Sequence, residues 1–247
     1  MSENTAFLAP TGQVLPALTE DQMREVDRIA MDEFGLGVLQ MMENAGRNLA
    51  LHAVENVGDQ NSAIVIMAGS GGNGGGGICC ARHLRNRGYR VELFLSKDPA
   101  ELRGSAAAQY QIVEQAGLSV TSVSQAEERI EHAELVIDAL IGYSLKGAPR
   151  GTTKDLIETA NEFSARTLSL DIPSGFDSTT GETPGVAIRP YRTLTLALPK
   201  IGLREVEGEL YVADIGIPAE VFAPLGISFE PFFGGAYWVQ ITASTGG

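Results

Sequence analysis

Seven short apolar runs, at residues 63–68, 91–95, 118–121, 135–140, 167–171, 193–197 and 210–214, recur along the chain with helical or turn segments between them. This recurrence constrains the fold more than any other feature. Runs without an in/out alternation are strands buried on both faces, and their alternation with helices implies right-handed crossovers into a mainly parallel sheet. The expected class is α/β with a doubly wound sheet. Helices are expected at 78–87, closed by Gly88, at 100–116, closed by Gly117, and at 153–163. The crossovers near 184–192 and 200–208 are too short for full helices, so loops and an antiparallel or edge strand are expected towards the end.

Upstream, residues 19–57 carry apolar side chains at helical spacing: Met23, Val26, Ile29 and Ala30, then Leu39, Met42, Ala45 and Leu49, with a glycine turn at 34–37. Two helices follow from this, the first opened by a capping box of Thr19 and Gln22. No linker or repeat interrupts the pattern. The division is a flexible leader over 1–17 and a single domain over 18–247, with the N-terminal helices packed on it as an extension.

Composition removes several classes of function. Eighteen basic against 31 acidic side chains leave a net charge of −13, which repels a phosphate backbone, so nucleic acid is not an expected partner. No apolar stretch approaches the roughly 20 residues that span a bilayer, and no basic segment precedes an apolar one at the start, so no membrane is expected and the chain is assigned to the cytoplasm. Cys79 and Cys80 are adjacent, a spacing that supports neither a disulfide framework nor a zinc site. They are expected to be small core residues.

Ligands of open α/β sheets bind beyond the carboxyl ends of the strands, at a topological switch point. Three loops qualify. The first is Gly69-Ser70-Gly71-Gly72-Asn73-Gly74-Gly75-Gly76-Gly77, whose backbone amides can approach a ligand closely at a helix start and cradle an anion. It satisfies the dinucleotide fingerprint only weakly, since so many glycines match many patterns. The ribose-binding acid would have to be Asp98, beyond the apparent strand end. The second loop runs from Asp138 to Gly151 and carries Lys146 and Arg150. The third is Asp171-Ile172-Pro173-Ser174-Gly175. Two carboxylates, Asp138 and Asp171, are thus carried to strand ends beside one glycine cradle, and either could serve as a general acid or base. Ser174 offers oxygen to a ligand or a hard cation. His83 is expected at a packing or solvent edge, and Lys200 is equally consistent with the site mouth and with solvent.

Met41-Met42-Glu43-Asn44-Ala45-Gly46, the glycine loop leading into Ala81-Arg82-His83-Leu84, Asp138-Ala139-Leu140-Ile141-Gly142, Asp171-Ile172-Pro173-Ser174-Gly175 and Leu194 to Lys200 together resemble the NAD(P)H-hydrate epimerases, the YjeF-type N-terminal domain family. The resemblance covers nearly everything from Leu18 to about Pro218. It implies a Rossmann-like fold and an isomerase that interconverts the R and S forms of hydrated NADH and NADPH, in nicotinamide cofactor repair shared with a dehydratase. At 247 residues the dehydratase is expected as a separate protein. By position, the resemblance makes Asn73, Asp138 and Ser174 ligands of a potassium ion. It makes Gly72, Asn73, Gly74, Gly75 and Gly76, with Gly142, Tyr143, Ser144, Leu145, Lys146, Gly147 and Ala148, the binding surface for the hydrated dinucleotide, together with Asp171, the expected catalytic residue. Gly72 and Gly76 stand where the family usually has Asn and Asp. Two other classes compete: a non-catalytic nucleotide-binding or scaffold member of the family, and an NAD-dependent oxidoreductase. A homodimer is left open.

Overall fold

The computed structural model describes residues 6–244. Its strands are β1 (Ala6–Leu8), β2 (Val14–Pro16), β3 (Ala63–Ala68), β4 (Arg90–Leu95), β5 (Leu135–Ala139), β6 (Thr167–Leu170), β7 (Arg192–Leu196), β8 (Glu209–Ala213) and β9 (Trp238–Ala243). Its α-helices are α1 (Glu20–Asp32), α2 (Val38–Val54), α3 (Gly72–Arg85), α4 (Gly104–Gln115), α5 (Ala126–Glu131) and α6 (Gly151–Phe163). One sheet has the order β2-β1-β9-β8-β7-β6-β5-β3-β4. Every pair from β4 across to β8 is parallel, whereas β9 is antiparallel to β8 and to β1. The expected Rossmann-like, doubly wound architecture is therefore present.

Alternation along β3 explains why the sheet needs both faces covered. Ile64, Ile66 and Ala68 enter the cluster with α2 and α3, while Val65 and Met67 enter the cluster with α5 and α6. A third cluster joins α1 to the β8–β9 end of the sheet. From β3 the chain steps outward to β4 and then returns to β5 on the other side of β3. The order reverses between β3 and β5, which is where a crevice opens beyond the carboxyl ends.

Four expectations are corrected. The leader is not flexible over residues 6–17, because β1 and β2 form a hairpin whose β1 pairs with β9 and buries Phe7 and Leu15 in the third cluster; residues 1–5 and the terminal 245–247 lie outside the described residues. The run at 118–121 makes only a single bridge, Val120 to Leu93, instead of a strand. Helix α5 at 126–131 was not foreseen, its six residues being too few to show a helical period. The fourth concerns the glycines: the helix expected from residue 78 begins at Gly72, so Gly72 to Gly77 form helical turns. Glycine in a helix costs up to about 1 kcal/mol per residue relative to alanine, and close packing offsets it here. A Cβ at Gly77 would lie 2.6 Å from the Ala139 Cβ, and one at Gly46 of α2 would lie 2.5 Å from the Cys79 Cβ. Only bare backbone allows α2, α3 and the sheet to approach this closely.

The capping box of Thr19 and Gln22 is present at the start of α1. Among the described residues, no helix is long and apolar enough to cross a membrane.

His52, in the last turn of α2, is fully buried and meets the rings of Tyr211 and Trp238 edge-on at 4.7 and 5.1 Å. Burial, with the Arg192 guanidinium nearby, pushes its pKa down to about 3. The folded state then excludes a proton that the unfolded chain binds below about pH 6.5, so stability is lost as pH falls through that value towards 3. Urea unfolding at pH 5.5 is expected to show about 1.2 kcal/mol less stability from this residue than at pH 7. His52→Gln, which cannot titrate, flattens the dependence.

Candidate functional site

The crevice beyond β3 and β5 is a pocket of about 430 Å³. Its inner wall comes from the ends of β6 and β7, one side from Gly71, Gly72, Asn73 and Gly76 at the start of α3, and the opposite side from Gly142, Tyr143 and Ser144. Helices α1 and α2 close it with Met23, Asp27, Met41, Met42 and Ala45. The amides of the first turn of α3 have no partners within the helix, and Gly71 brings no side chain to cap them, so this end suits an anionic group. Gly72 and Gly76 both border the pocket; a Cβ at Gly72 would meet nothing within 4 Å, whereas one at Gly76 would lie 2.8 Å from Leu170 Cδ2.

Asp171 follows β6 directly. It is 4% exposed and has a φ of +68°, in the left-handed region that residues with a Cβ rarely adopt. The turn is held by its own amide donating to the Leu194 carbonyl at 2.8 Å and by its carboxylate. Oδ1 accepts from Lys200 Nζ at 2.6 Å and from Thr195 Oγ1 at 3.4 Å, and Oδ2 accepts from the Tyr143 amide at 3.1 Å. Lys200 is fully buried and also donates to the Leu196 carbonyl at 2.8 Å. It is held there because Leu18 brackets it, donating to the Pro199 carbonyl and accepting from the Ile201 amide. Of the two placements open to Lys200 in sequence, solvent is therefore excluded.

Asp138 and Ser174 lie out of contact with the pocket, fully buried. The Asp138 carboxylate accepts from Ser174 Oγ at 2.5 Å, the Ser174 amide at 2.8 Å, Ser169 Oγ at 2.9 Å and the Leu140 amide at 3.2 Å. All four donors are neutral. Burial raises its pKa and these hydrogen bonds oppose the rise. Asn73 lines the pocket against the next loop, where a Cβ on Gly142 would come within 3.3 Å of it and within 3.2 Å of Asp171 Oδ2; its Nδ2 is buried without a partner.

The remaining expected residues divide in two. Gly74 packs backbone to backbone, since a Cβ there would lie 1.8 Å from the Gly69 oxygen, and Gly75 packs on Met42. Leu145, Lys146, Gly147 and Ala148 continue the second loop away from the pocket wall, Leu145 buried and Lys146 exposed. Asp98 is also absent from the pocket lining; it caps a short 3-10 turn by accepting from the Ala100 amide at 2.8 Å, which removes the ribose-binding acid an oxidoreductase needs. Sequence reasoning missed Asp27. It lies four residues after Met23 and three before Ala30, inside the buried stripe of α1, and a carboxyl in an apolar stripe was the available signal.

Between α2 and α3, Glu43 meets His83 Nε2 at 2.8 Å and Cys79 Sγ at 3.4 Å, and pairs with Arg82. The three could hold a metal by geometry, a grouping that the adjacent spacing of the two cysteines did not show. Burial pushes the Cys79 thiol up to about 12, however, and Arg82 already balances the carboxylate. This group ties the two helices together.

The YjeF-related protein N-terminus family matches residues 38–202, which include the loops after β3, β5, β6 and β7 that line the pocket. The chain belongs to this family. Its relatives include an NAD(P)H-hydrate epimerase of Dehalogenimonas lykanthroporepellens, 43% identical over 96% of this chain and 98% of that protein. Another of the same name, from Rhodopirellula baltica, is 36% identical over 86% of this chain and 89% of that protein. A bifunctional NAD(P)H-hydrate repair enzyme of Moorella thermoacetica is 36% identical over 83% of this chain, which spans 41% of that longer protein. The crystal structure of the yeast protein ynu0, YNL200c, shares the fold, with a TM-score of 0.81 at 23% identity over 92% of this chain and all of that one.

In this YjeF-related domain the Asp171–Lys200 pair can be broken from one side. Lys200→Met leaves a buried carboxylate with only neutral donors and is expected to cost about 3–5 kcal/mol in urea unfolding. Adding Asp171→Asn removes the stranded charge and should restore part of that loss.

Proposed function

We propose that this chain is an NAD(P)H-hydrate epimerase, an isomerase that interconverts the R and S hydrates of NADH and NADPH. Relatives of that name cover nearly its whole length. The observation that carries the chemistry is Asp171, a buried carboxylate in a left-handed turn at the pocket's inner wall, with an ammonium at 2.6 Å. To epimerise, the carbon that bears the hydroxyl must exchange its face, so a group that gives and takes a proton is needed beside the ring. In our reading Asp171 is that group. Gly72, Asn73, Gly76, Gly142, Tyr143 and Ser144 border the ligand directly; Gly74 and Gly75 act by letting the α3 terminus approach it. Leu145, Lys146, Gly147 and Ala148 take the outer part of the dinucleotide.

Asn73, Asp138 and Ser174 would hold a potassium ion. The donor set fits in kind, being a buried carboxylate without a cationic partner, a serine hydroxyl and the side-chain oxygen of Asn73. When bound, the ion would supply positive charge close to the amide end of α3. A dehydratase on a separate chain would consume one of the two epimers, as the bifunctional relatives' name suggests.

Incubation with resolved hydrate epimers tests the activity. Asp171→Asn keeps the shape and removes the carboxylate that would exchange the proton, so the rate above spontaneous epimerisation is expected to fall at least about 100-fold. A mutant with full activity would leave Asp171 a binding residue only, and a wild type no faster than the background would favour the scaffold reading. For the ion, saturating potassium should raise unfolding stability over an equal concentration of tetramethylammonium by on the order of 1–3 kcal/mol. Asp138→Asn should abolish that increment.

A further inference from the structure

The pocket contains a second carboxyl. Asp27 projects from α1 into the pocket, and its Oδ2 accepts a hydrogen bond from the Tyr143 hydroxyl at 2.6 Å. The same tyrosine donates its backbone amide to Asp171 Oδ2 at 3.1 Å. One residue thus spans both carboxyl groups and sets their separation, one end fixed by the main chain and the other by the phenol. Tyr143 is itself secured, its carbonyl accepting from Ser178 Oγ at 2.8 Å.

The two carboxyls have different partners. Asp171 faces the Lys200 ammonium, and Asp27 faces a neutral phenol. Burial raises the pKa of Asp27; the Tyr143 hydrogen bond and the Lys200 charge oppose the rise, and the Asp171 charge adds to it. The groups facing Asp27 are therefore Tyr143 from the loop after β5 and Asp171 and Lys200 from the strand ends. On its own helix Arg24 is paired with Glu20. A carboxyl whose pKa burial raises, hydrogen-bonded to a neutral phenol and next to one matched by a cation, is a pairing suited to an acid and a base in one site.

We propose that Asp27 is a second catalytic residue, which carries a proton to and from the ring nitrogen of the hydrated nicotinamide while Asp171 serves the hydroxyl. This rests on the epimerase reading and on the role given to Asp171. Water adds to an N-substituted double bond at the carbon next to nitrogen, so the hydroxyl-bearing carbon is bonded to the ring nitrogen and the ring can open there. Asp171 takes the hydroxyl proton. The O–H electron pair becomes the second bond of a carbonyl, the C–N bond breaks with its pair going to nitrogen, and Asp27 protonates that nitrogen. Rotation about the adjoining C–C bond turns the other carbonyl face to the nitrogen. Nitrogen then attacks, its proton returns to Asp27, and Asp171 returns its proton to oxygen. Nothing else is consumed, and both carboxyls end as they began.

The test measures kcat and KM for each resolved epimer, corrected for the spontaneous rate, between about pH 5 and 9. Asp27→Asn is expected to lower kcat at least about 100-fold with KM within about threefold of wild type. In the wild type kcat falls on the alkaline side as Asp27 loses its proton, and the variant lacks that limb. Tyr143→Phe deletes the hydrogen bond that holds the Asp27 carboxyl down, so it moves the limb to higher pH, a shift that a purely structural Asp27 would not produce. Should Asp27→Asn fail to fold, this shift still decides the matter. Wild-type kcat in Asp27→Asn, or an alkaline limb unmoved by Tyr143→Phe, overturns the proposal. Loss of activity in Asp171→Asn with full activity in Asp27→Asn overturns it while leaving the epimerase reading intact; a wild type no faster than background overturns both.

Discussion

A carboxylate and an ammonium, both out of water and 2.6 Å apart, organise the inner wall of the pocket. Neither ion would be tolerated there alone, because desolvation of an unpaired charge costs several kcal/mol. Each therefore imposes order on its surroundings. Asp171 adopts a left-handed backbone so that its carboxylate can meet Lys200 and the Tyr143 amide together. Lys200 is brought in by Leu18, so the segment that leads into α1 is tied to the turn after β7. A buried pair of this kind is weak evidence for stability and better evidence for specificity of arrangement. In this chain it fixes where the pocket ends and which groups face it.

The opposite wall depends on absence of side chains. Five glycines between Gly72 and Gly77 would weaken an isolated helix, yet α3 begins among them because α2, β3 and β5 pack where Cβ atoms would otherwise stand. Tight packing and ligand approach come from the same residues: the inner glycines lock the helix against Gly69, Met42 and Ala139, and the outer ones leave its amide end open. Beneath it, Asp138 lies buried, and the hydrogen-bond donors to its carboxyl among the described residues are all neutral.

Much of this architecture was legible in the chain. The apolar runs at 63–68, 91–95, 135–140, 167–171, 193–197 and 210–214 all became parallel strands, because burial on both faces demands continuous apolar residues whatever the neighbours. The switch-point loops followed from that pattern, and so did the delivery of Asp138 and Asp171 to strand ends. The hairpin at residues 6–16 was not legible: strands of three residues carry no period, and theirs exist only because β9 offers an edge to pair with.

The chain by itself determined the fold class, the positions of the central strands and the three loops at their ends, since these depend on local periodicity and on which residues end each run. Tertiary structure alone decided the chemistry at those loops. Whether Lys200 met water or a carboxylate, whether Asp27 lay on a solvated face or in a pocket, and whether glycines 72–77 formed a loop or a helix were all set by what packs against them. Those neighbours lie tens of residues or more away in sequence: Lys200 is 29 residues from Asp171, and Tyr143 is 116 from Asp27. Burial and hydrogen-bond partners at that separation are properties of the assembled sheet and helices, which no local pattern records.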